Sequence, residues 1–300
     1  MYNKMYNEKL EKFNKKLFSY FNNLKATHKN SDLLQAMAYT TFLGGKRLRP
    51  IILLEFYDML KRAVNKLKDD AVYDFAIAIE LIHTFSLIHD DLPCMDNDSI
   101  RRGQKANHIV YGENVAMLAG DALIMQAFDI LLNDNILKIY KVSQVIKVIK
   151  ILLKSSGLSG MTLGQCLEIS LKRKANKDNE KFEDKTYDKK LESYIQNVYK
   201  LKTGALFSAS SQIAAVLSDA DNIEIELAKN YGENFGIAFQ LADDIKDYKI
   251  SNKNIDYVSI YGLEKAGLLL KNKINYCMEL LSKMSGNTET LKIITQSINL

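Results

Sequence analysis

Glu80-Leu81-Ile82-His83-Thr84-Phe85-Ser86-Leu87-Ile88-His89 runs directly into Asp90-Asp91-Leu92-Pro93-Cys94-Met95-Asp96. The first ten residues are largely apolar and helix-patterned, so a long helix delivers three aspartates at its C-terminal end. That end of a helix disfavours negative charge, and buried carboxylates are costly unless a cation neutralises them. The Pro93-Cys94 insertion lengthens the spacing from Asp90 to Asp96 to six residues, so Asp96 is expected to return across a bulged turn. Roughly 150 residues later stands Asp243-Asp244-Ile245-Lys246-Asp247. Here Asp243 and Asp247 are i,i+4 on one helix face, an arrangement that costs a few tenths of a kcal/mol (about 0.2–0.5) without a counter-ion. Gln240 lies one turn earlier on the same face. Hard oxygen ligands in this number suit magnesium, which takes one or two carboxylates and leaves positions for water and phosphate. The pair of clusters points to a magnesium-bridged phosphate site built from two facing helices.

The rest of the chain supports a helical setting. Apolar residues recur at helical spacing almost everywhere, and strand alternation is scarce. Two prolines among 300 residues leave room for many long helices. Leu10, Phe13, Leu17, Phe18 and Phe21 mark a first helix. Ser31-Asp32 caps a second that reaches about Phe42, and Gly44-Gly45 stops it. Pro50 opens a third. A long helix starts at Asp69 or Asp70 and ends at Asp90, and another covers Glu113 to Leu132. Further helices are expected over about 136–154, 158–171, 188–218, 222–249, 261–284 and 287–299. The charged stretch 172–190 reads as a surface connection, mobile or partly helical. Both clusters require one cavity, so the expectation is a single all-α domain spanning residues 1–300.

Bulk properties narrow the function. The net charge of +5 is modest and carries no basic stripe interleaved with aromatics, which argues against nucleic acid. Three scattered cysteines, Cys94, Cys166 and Cys277, point to a reducing compartment. The first sixteen residues lack the apolar core of a signal peptide, and no run of eighteen apolar residues predicts a membrane span. A cytoplasmic protein without stable membrane insertion is expected.

Three basic sites complete the constellation. Gly44-Gly45-Lys46-Arg47-Leu48-Arg49-Pro50 sets cations before a helix N-terminus, a good anion site that lacks the spacing of a nucleotide-binding loop. Arg101-Arg102-Gly103 follows the first aspartates; these arginines either pair with the carboxylates or bind phosphate oxygens. Lys202-Thr203-Gly204 places a cation and a hydroxyl within an apolar helix, where a lysine is a snorkelling surface residue or a charge partner in a cavity. Metal sites, phosphate sites and an apolar interior together suit two diphosphate substrates with apolar tails.

At this point the chain resembles the short-chain trans-isoprenyl diphosphate synthases, most closely bacterial farnesyl diphosphate synthases. The resemblance runs from about Leu34 to Lys273 and rests on Gly44 to Pro50, Glu80 to Gly103, Gly120-Asp121-Ala122-Leu123, Gly164-Gln165, Lys202 to Leu206, and Phe239 to Asp247. It implies an all-α bundle around a deep central cavity, usually a homodimer. It implies that Lys46, Arg49, His83 and Arg102 bind isopentenyl diphosphate. Asp90 and Asp96, with Asp91 nearby, would hold two magnesium ions on an allylic diphosphate such as dimethylallyl or geranyl diphosphate. Asp243, with Asp244 and Asp247 in support, would hold a third. Arg101, Lys202 and Gln240 would be further diphosphate contacts, and Thr203 and Gln240 would face a developing carbocation. The implied reaction is ionisation, condensation and elimination to farnesyl diphosphate.

Phe85 lies five residues before Asp90, about 7.5 Å down a helix, and reads as the floor limiting the product to fifteen carbons, or else as core packing. The alternatives are a geranylgeranyl or geranyl diphosphate synthase, a terpene cyclase of the same fold class, and a helical regulatory subunit without catalysis. Three positions depart from the family pattern. Tyr248 to Asp256 is short and lacks the usual glycine, leaving Lys249 or Lys253 to supply the usual flap lysine. Glu168 stands where aspartate is commoner, and Ser99 where a further aspartate is common.

Overall fold

The computed structural model describes residues 4–29, 31–177, 189–250 and 256–298. The fold is all-α, as expected, and the described residues gather into two compact units. The N-terminal unit comprises Lys4–Leu54 and Ala63–Ile149; the C-terminal unit comprises Glu55–Arg62 and Lys150–Leu300.

In the N-terminal unit, α1 (Lys4–Thr27), α2 (Asp32–Phe42) and the start of α3 (Leu48–Leu60) precede α4 (Lys66–Asp90). Ser31 caps α2 by accepting the Leu34 N–H at 3.3 Å. The α4 helix begins earlier than its Asp69-Asp70 pair suggests, because Asn65 accepts the N–H groups of Leu67 and Lys68 at 3.1 and 3.2 Å. Ile77, Ile79, Leu81, Ile82 and Ile88 of α4 are buried, so this helix is consumed by the core although it is long and apolar enough to cross a membrane. Packed against it is α6 (Glu113–Asp129), which continues as a 3₁₀ turn over Ile130–Leu132. Gly120 makes the approach possible: a Cβ there would collide with the His89 ring.

A single helix expected over 136–154 is instead α7 (Asp134–Ile139) and α8 (Val142–Ser156). Tyr140 leaves helical geometry to bury its ring 5.2 Å from that of Phe75 and to donate to the Lys68 carbonyl at 3.1 Å. Between α4 and α6 lie a hairpin, β1 (Ile100–Arg101) with β2 (Gln104–Lys105), and the short α5 (Asn107–Tyr111). None of these three was signalled by apolar periodicity.

The C-terminal unit is centred on α11 (Ala205–Leu217) and α12 (Asn222–Ile250). Almost every α11 side chain is buried, the pattern of a helix enclosed on all sides. Phe207 of α11 meets Phe235 and Phe239 of α12 at centroid distances of 5.1 and 5.6 Å. Around them stand α9 (Met161–Lys177), α10 (Lys189–Tyr199), α13 (Tyr257–Tyr261), α14 (Leu263–Ser282) and α15 (Glu289–Gln296). The helix expected over 188–218 is interrupted by a π turn, Lys200–Gly204. Of the charged stretch 172–190, residues 172–177 extend α9 and 189–190 open α10; the remainder lies outside the described residues. So does Lys253, and with it the side chain of Lys249. Cys94, Cys166 and Cys277 are all free thiols.

Candidate active site

The N-terminal unit brings three distant basic segments together. Arg49 Nη1 lies 3.3 Å from His83 Nε2, and Arg102 donates to the Gly44 carbonyl. Gly45 has no side chain because the Arg102 guanidinium occupies the space a Cβ would need. Arg102 and Gly103 both have positive φ, 52° and 76°, and connect β1 to β2 as a two-residue loop. Positive φ at both central residues is the geometry that closes a tight hairpin, and it swings the Arg102 side chain back to the glycine loop. Arg47, also at positive φ (50°), is buried. It pairs with Glu80 and donates to the Thr41 carbonyl, which locks the loop bearing exposed Lys46. His83 is held neutral by burial and by the nearby guanidiniums of Arg49, Arg102, Arg47 and Arg101. Arg47 and Arg101 are paired with Glu80 and Asp91, which leaves Arg49 and Arg102 beside a neutral imidazole as the anion-binding pair. Lys46, Arg49, His83 and Arg102, widely spaced along the chain, are thus in one region.

The first aspartate set stands where α4 ends. The insertion folds as a tight turn in which Asp96 N–H donates to the Asp90 carbonyl at 2.9 Å and Met95 N–H to that of Leu92 at 2.8 Å. Asp96 therefore returns to Asp90, as the spacing implied. Asp91 is turned inward, with its side chain 1% exposed. Arg101 grips it, the Nε lying 2.9 and 3.1 Å from its two oxygens and Nη2 also in contact. Burial pushes the Asp91 carboxyl up while Arg101 pulls it back. As it stands, Arg101 serves Asp91 and, at 3.4 Å, Asp98. Phe85 is buried one turn down α4, its ring 5.7 Å from that of His89.

The C-terminal unit assembles the other residues around the π turn. Such turns insert one residue and recur at functional sites. Gly164 of α9 lies against the backbone of Lys202, and Gly236 of α12 against Gly204; a Cβ at either glycine would strike main chain. Backbone thereby wedges the turn from two sides. Lys202 pairs with Glu168. Thr203 donates to Gln240 Oε1 at 2.7 Å, and Gln240 Nε2 donates to Asp244 Oδ1 at 2.8 Å. Tyr199 donates to the other oxygen of Asp244. Asp244 is buried, which drives its carboxyl up to about 7, opposed by the donors Tyr199 and Gln240. Asp243 is half-buried and Asp247 exposed.

Among the described residues, no group of three or more His, Cys, Asp or Glu side chains forms a ready-made metal cage. Magnesium needs none: it is typically bound by one or two carboxylates together with substrate phosphates and water. The all-oxygen donors Asp90, Asp96 and Asp243 fit it by chemistry. Asp91 is paired with Arg101, and Asp244 accepts from Tyr199 and Gln240. Sequence reasoning missed Arg47, Glu80 and Tyr199 as site residues. The sole signal for Tyr199 was its place one helical turn before Thr203.

The polyprenyl synthetase family model matches residues 30–258. The farnesyl diphosphate synthase of Micrococcus luteus is 35% identical over 277 residues, 88% of this chain and 87% of that one. The farnesyl diphosphate synthase of Buchnera aphidicola (subspecies Schizaphis graminum) is 34% identical over 98% of this chain and 97% of its own. Among solved structures, an FPP/GFPP synthase from Zymomonas mobilis superposes with a TM-score of 0.81 at 29% identity, covering 98% of this chain and 99% of that one. The chain belongs to the polyprenyl synthetase family.

Proposed function

We propose that this chain is a magnesium-dependent prenyltransferase that condenses isopentenyl diphosphate with dimethylallyl and then geranyl diphosphate to give farnesyl diphosphate. The observation that carries it is the convergence of Lys46, Arg49, His83 and Arg102 beside an aspartate turn, in a chain of this family. A terpene cyclase, with a single diphosphate substrate, has no use for that second anion site. The relatives' names favour farnesyl diphosphate over geranylgeranyl or geranyl diphosphate.

In this reading the basic loop and Arg102 hold isopentenyl diphosphate, and neutral His83 contributes a hydrogen bond without adding charge. Asp90 and Asp96 would hold two magnesium ions, and Asp243, with Asp244 and Asp247 in support, a third. Bound there, magnesium neutralises charge on the departing diphosphate. Lys202 and Arg101 add fixed positive charge where that charge develops. Thr203 and Gln240 present polar atoms to the allylic cation, and apolar walls exclude the water that would quench it. The departing diphosphate takes the proton released on elimination, so no protein base is needed. Both aspartate sets serve this one reaction, which makes residues 1–300 one catalytic domain. Exposed Met117, Leu118 and Met125 on α6 offer an apolar face for a second copy, and the enzyme works as a cytoplasmic homodimer.

The test is product chromatography after incubating the purified chain with magnesium, isopentenyl diphosphate and each allylic primer in turn. Farnesyl diphosphate is the expected product. No product from any primer would leave the non-catalytic helical subunit as the better reading, and release of diphosphate without isopentenyl diphosphate would favour a cyclase.

A further inference from the structure

We infer that Tyr199 is a positioning residue that sets which way the Thr203 hydroxyl points, by relaying the direction of a backbone amide through Asp244 and Gln240. The inference rests on the prenyltransferase reading and concerns a residue outside the motifs that suggested it.

The chain of contacts has one sense throughout. The Tyr257 N–H donates to Tyr199 Oη at 2.9 Å. An amide N–H can only donate, so the tyrosine oxygen accepts and its single proton is directed to Asp244 Oδ2. The other carboxylate oxygen, Oδ1, receives the Gln240 amide nitrogen at 2.8 Å. That choice turns Gln240 Oε1 toward Thr203, whose hydroxyl donates to it at 2.7 Å. With its proton so committed, the Thr203 oxygen keeps its lone pairs for whatever lies on its other side. An electron-deficient allylic carbon needs a lone pair there, and a hydroxyl proton would repel it.

Tyr199, Thr203 and Asp244 are buried and Gln240 between them is half-buried, so water has little access to the donors on either side of the amide. The source of the signal is anchored too. Tyr257 opens α13, which carries a reciprocal capping box between Asp256 and Ser259. The Tyr257 hydroxyl donates to Glu192 Oε1 at 2.6 Å, and Lys265 holds the other oxygen of Glu192 at 2.7 Å. Without the tyrosine hydroxyl, Asp244 loses one of its two donors and the Tyr257 N–H loses its acceptor. The Gln240 amide is then free to turn over and offer N–H to Thr203, which would point the Thr203 proton outward.

Tyr199→Phe removes one oxygen and keeps the ring. The expected result is a fall in kcat of about tenfold, a size common for coupling within one hydrogen-bond network, with KM for isopentenyl diphosphate changed less than twofold. In a double-mutant cycle, Tyr199→Phe added to Thr203→Val should cause no further loss, because the hydroxyl it steers is already gone. Hydrogen exchange should quicken at the Tyr257 amide in Tyr199→Phe. A Tyr199→Phe enzyme with wild-type kcat, losses that multiply in the cycle, or unchanged exchange at Tyr257 would each overturn the inference. A wild-type chain that makes no prenyl product would overturn the functional reading and this inference with it; an active wild type beside an unaltered variant overturns the inference alone.

Discussion

Asp91 and Asp244 occupy matching roles in the two units, each the inward-facing member of its aspartate set, yet they are held by different chemistry. Asp91 is gripped by a guanidinium; Asp244 is held by a phenol and an amide. Burial raises both carboxyls, but only for Asp91 does a full positive charge oppose it. The supporting backbone differs in the same sense. Arg101 and Arg102 sit on a tight hairpin with positive φ at its turn, whereas Asp244 stands on a regular helix steadied by a π turn packed against two glycines. Asp91 is thus paired with a charge of its own unit, whereas Asp244 is held by neutral donors.

The largest effect should come from residues on the outer side of both sets, where the two sites are expected to behave alike. Asp90→Ala and Asp243→Ala should each lower kcat by about 10²- to 10³-fold, the scale for losing a group that stabilises developing charge. Steady-state rates at saturating magnesium check this, and full activity in either variant would remove that set from the chemistry. The inner residues should separate the sites. Asp91→Asn strands a half-buried guanidinium and should cost about 2 kcal/mol of stability, less than for a fully buried pair because Arg101 retains some contact with water. Asp244→Asn turns one acceptor of a buried carboxyl into an NH2 facing a donor and should cost about 1 kcal/mol, with no charge left stranded. Denaturant unfolding of the two variants side by side would break the comparison if the losses were equal.

Product length should belong to the first set alone. Phe85→Ala is expected to shift products beyond fifteen carbons, read by chromatography, while Asp244→Asn leaves chain length unchanged. If Phe85→Ala keeps the wild-type profile, Phe85 is only core packing against His89.

The smallest effect lies away from both sites. Burial and Asp70 raise the Asp74 carboxyl to about 6, against the pull of Lys16, and Asp74 in turn helps raise the Tyr20 hydroxyl. The native state thus binds this proton at higher pH than the unfolded chain does. Its contribution to stability is complete below the ordinary carboxyl range and is lost as pH rises through about 6. Asp74→Asn should raise Tm at pH 8 by about 2 °C, and the difference should shrink steadily as pH falls from about 6 towards the ordinary carboxyl range. A constant offset across that range would show that the carboxyl is not the cause.

Much of this architecture was legible because its determinants are local. Ser31 caps α2 and Gly44-Gly45 ends it; Asp90, Asp96, Asp243 and Asp247 lie in short motifs with interpretable spacing. The failures share a physical cause, which is that the deciding partner is remote. Tyr140 breaks a helix to reach Phe75 and Lys68. Arg47 looked like one more cation in a basic loop until Glu80 and Thr41 appeared beside it. The hairpin at Arg102-Gly103 has only two residues per strand, too few for alternation to register. Tyr199 looked like an ordinary buried aromatic, since its meaning depends on an aspartate 45 residues away and an amide 58 residues away.

The π turn at Lys200–Gly204 also has a consequence for how this gene can change. An α-helix needs one residue fewer over that stretch, so a single-codon deletion there would leave a chain with every local reason to fold into an unbroken helix. The helix after the deletion would be rotated by about 100°. Phe207 would swing away from Phe235 and Phe239, and Gly204 would no longer meet Gly236. Substitutions along α11 can be absorbed one at a time, but the number of residues between Tyr199 and Ala205 is a frame that selection must keep.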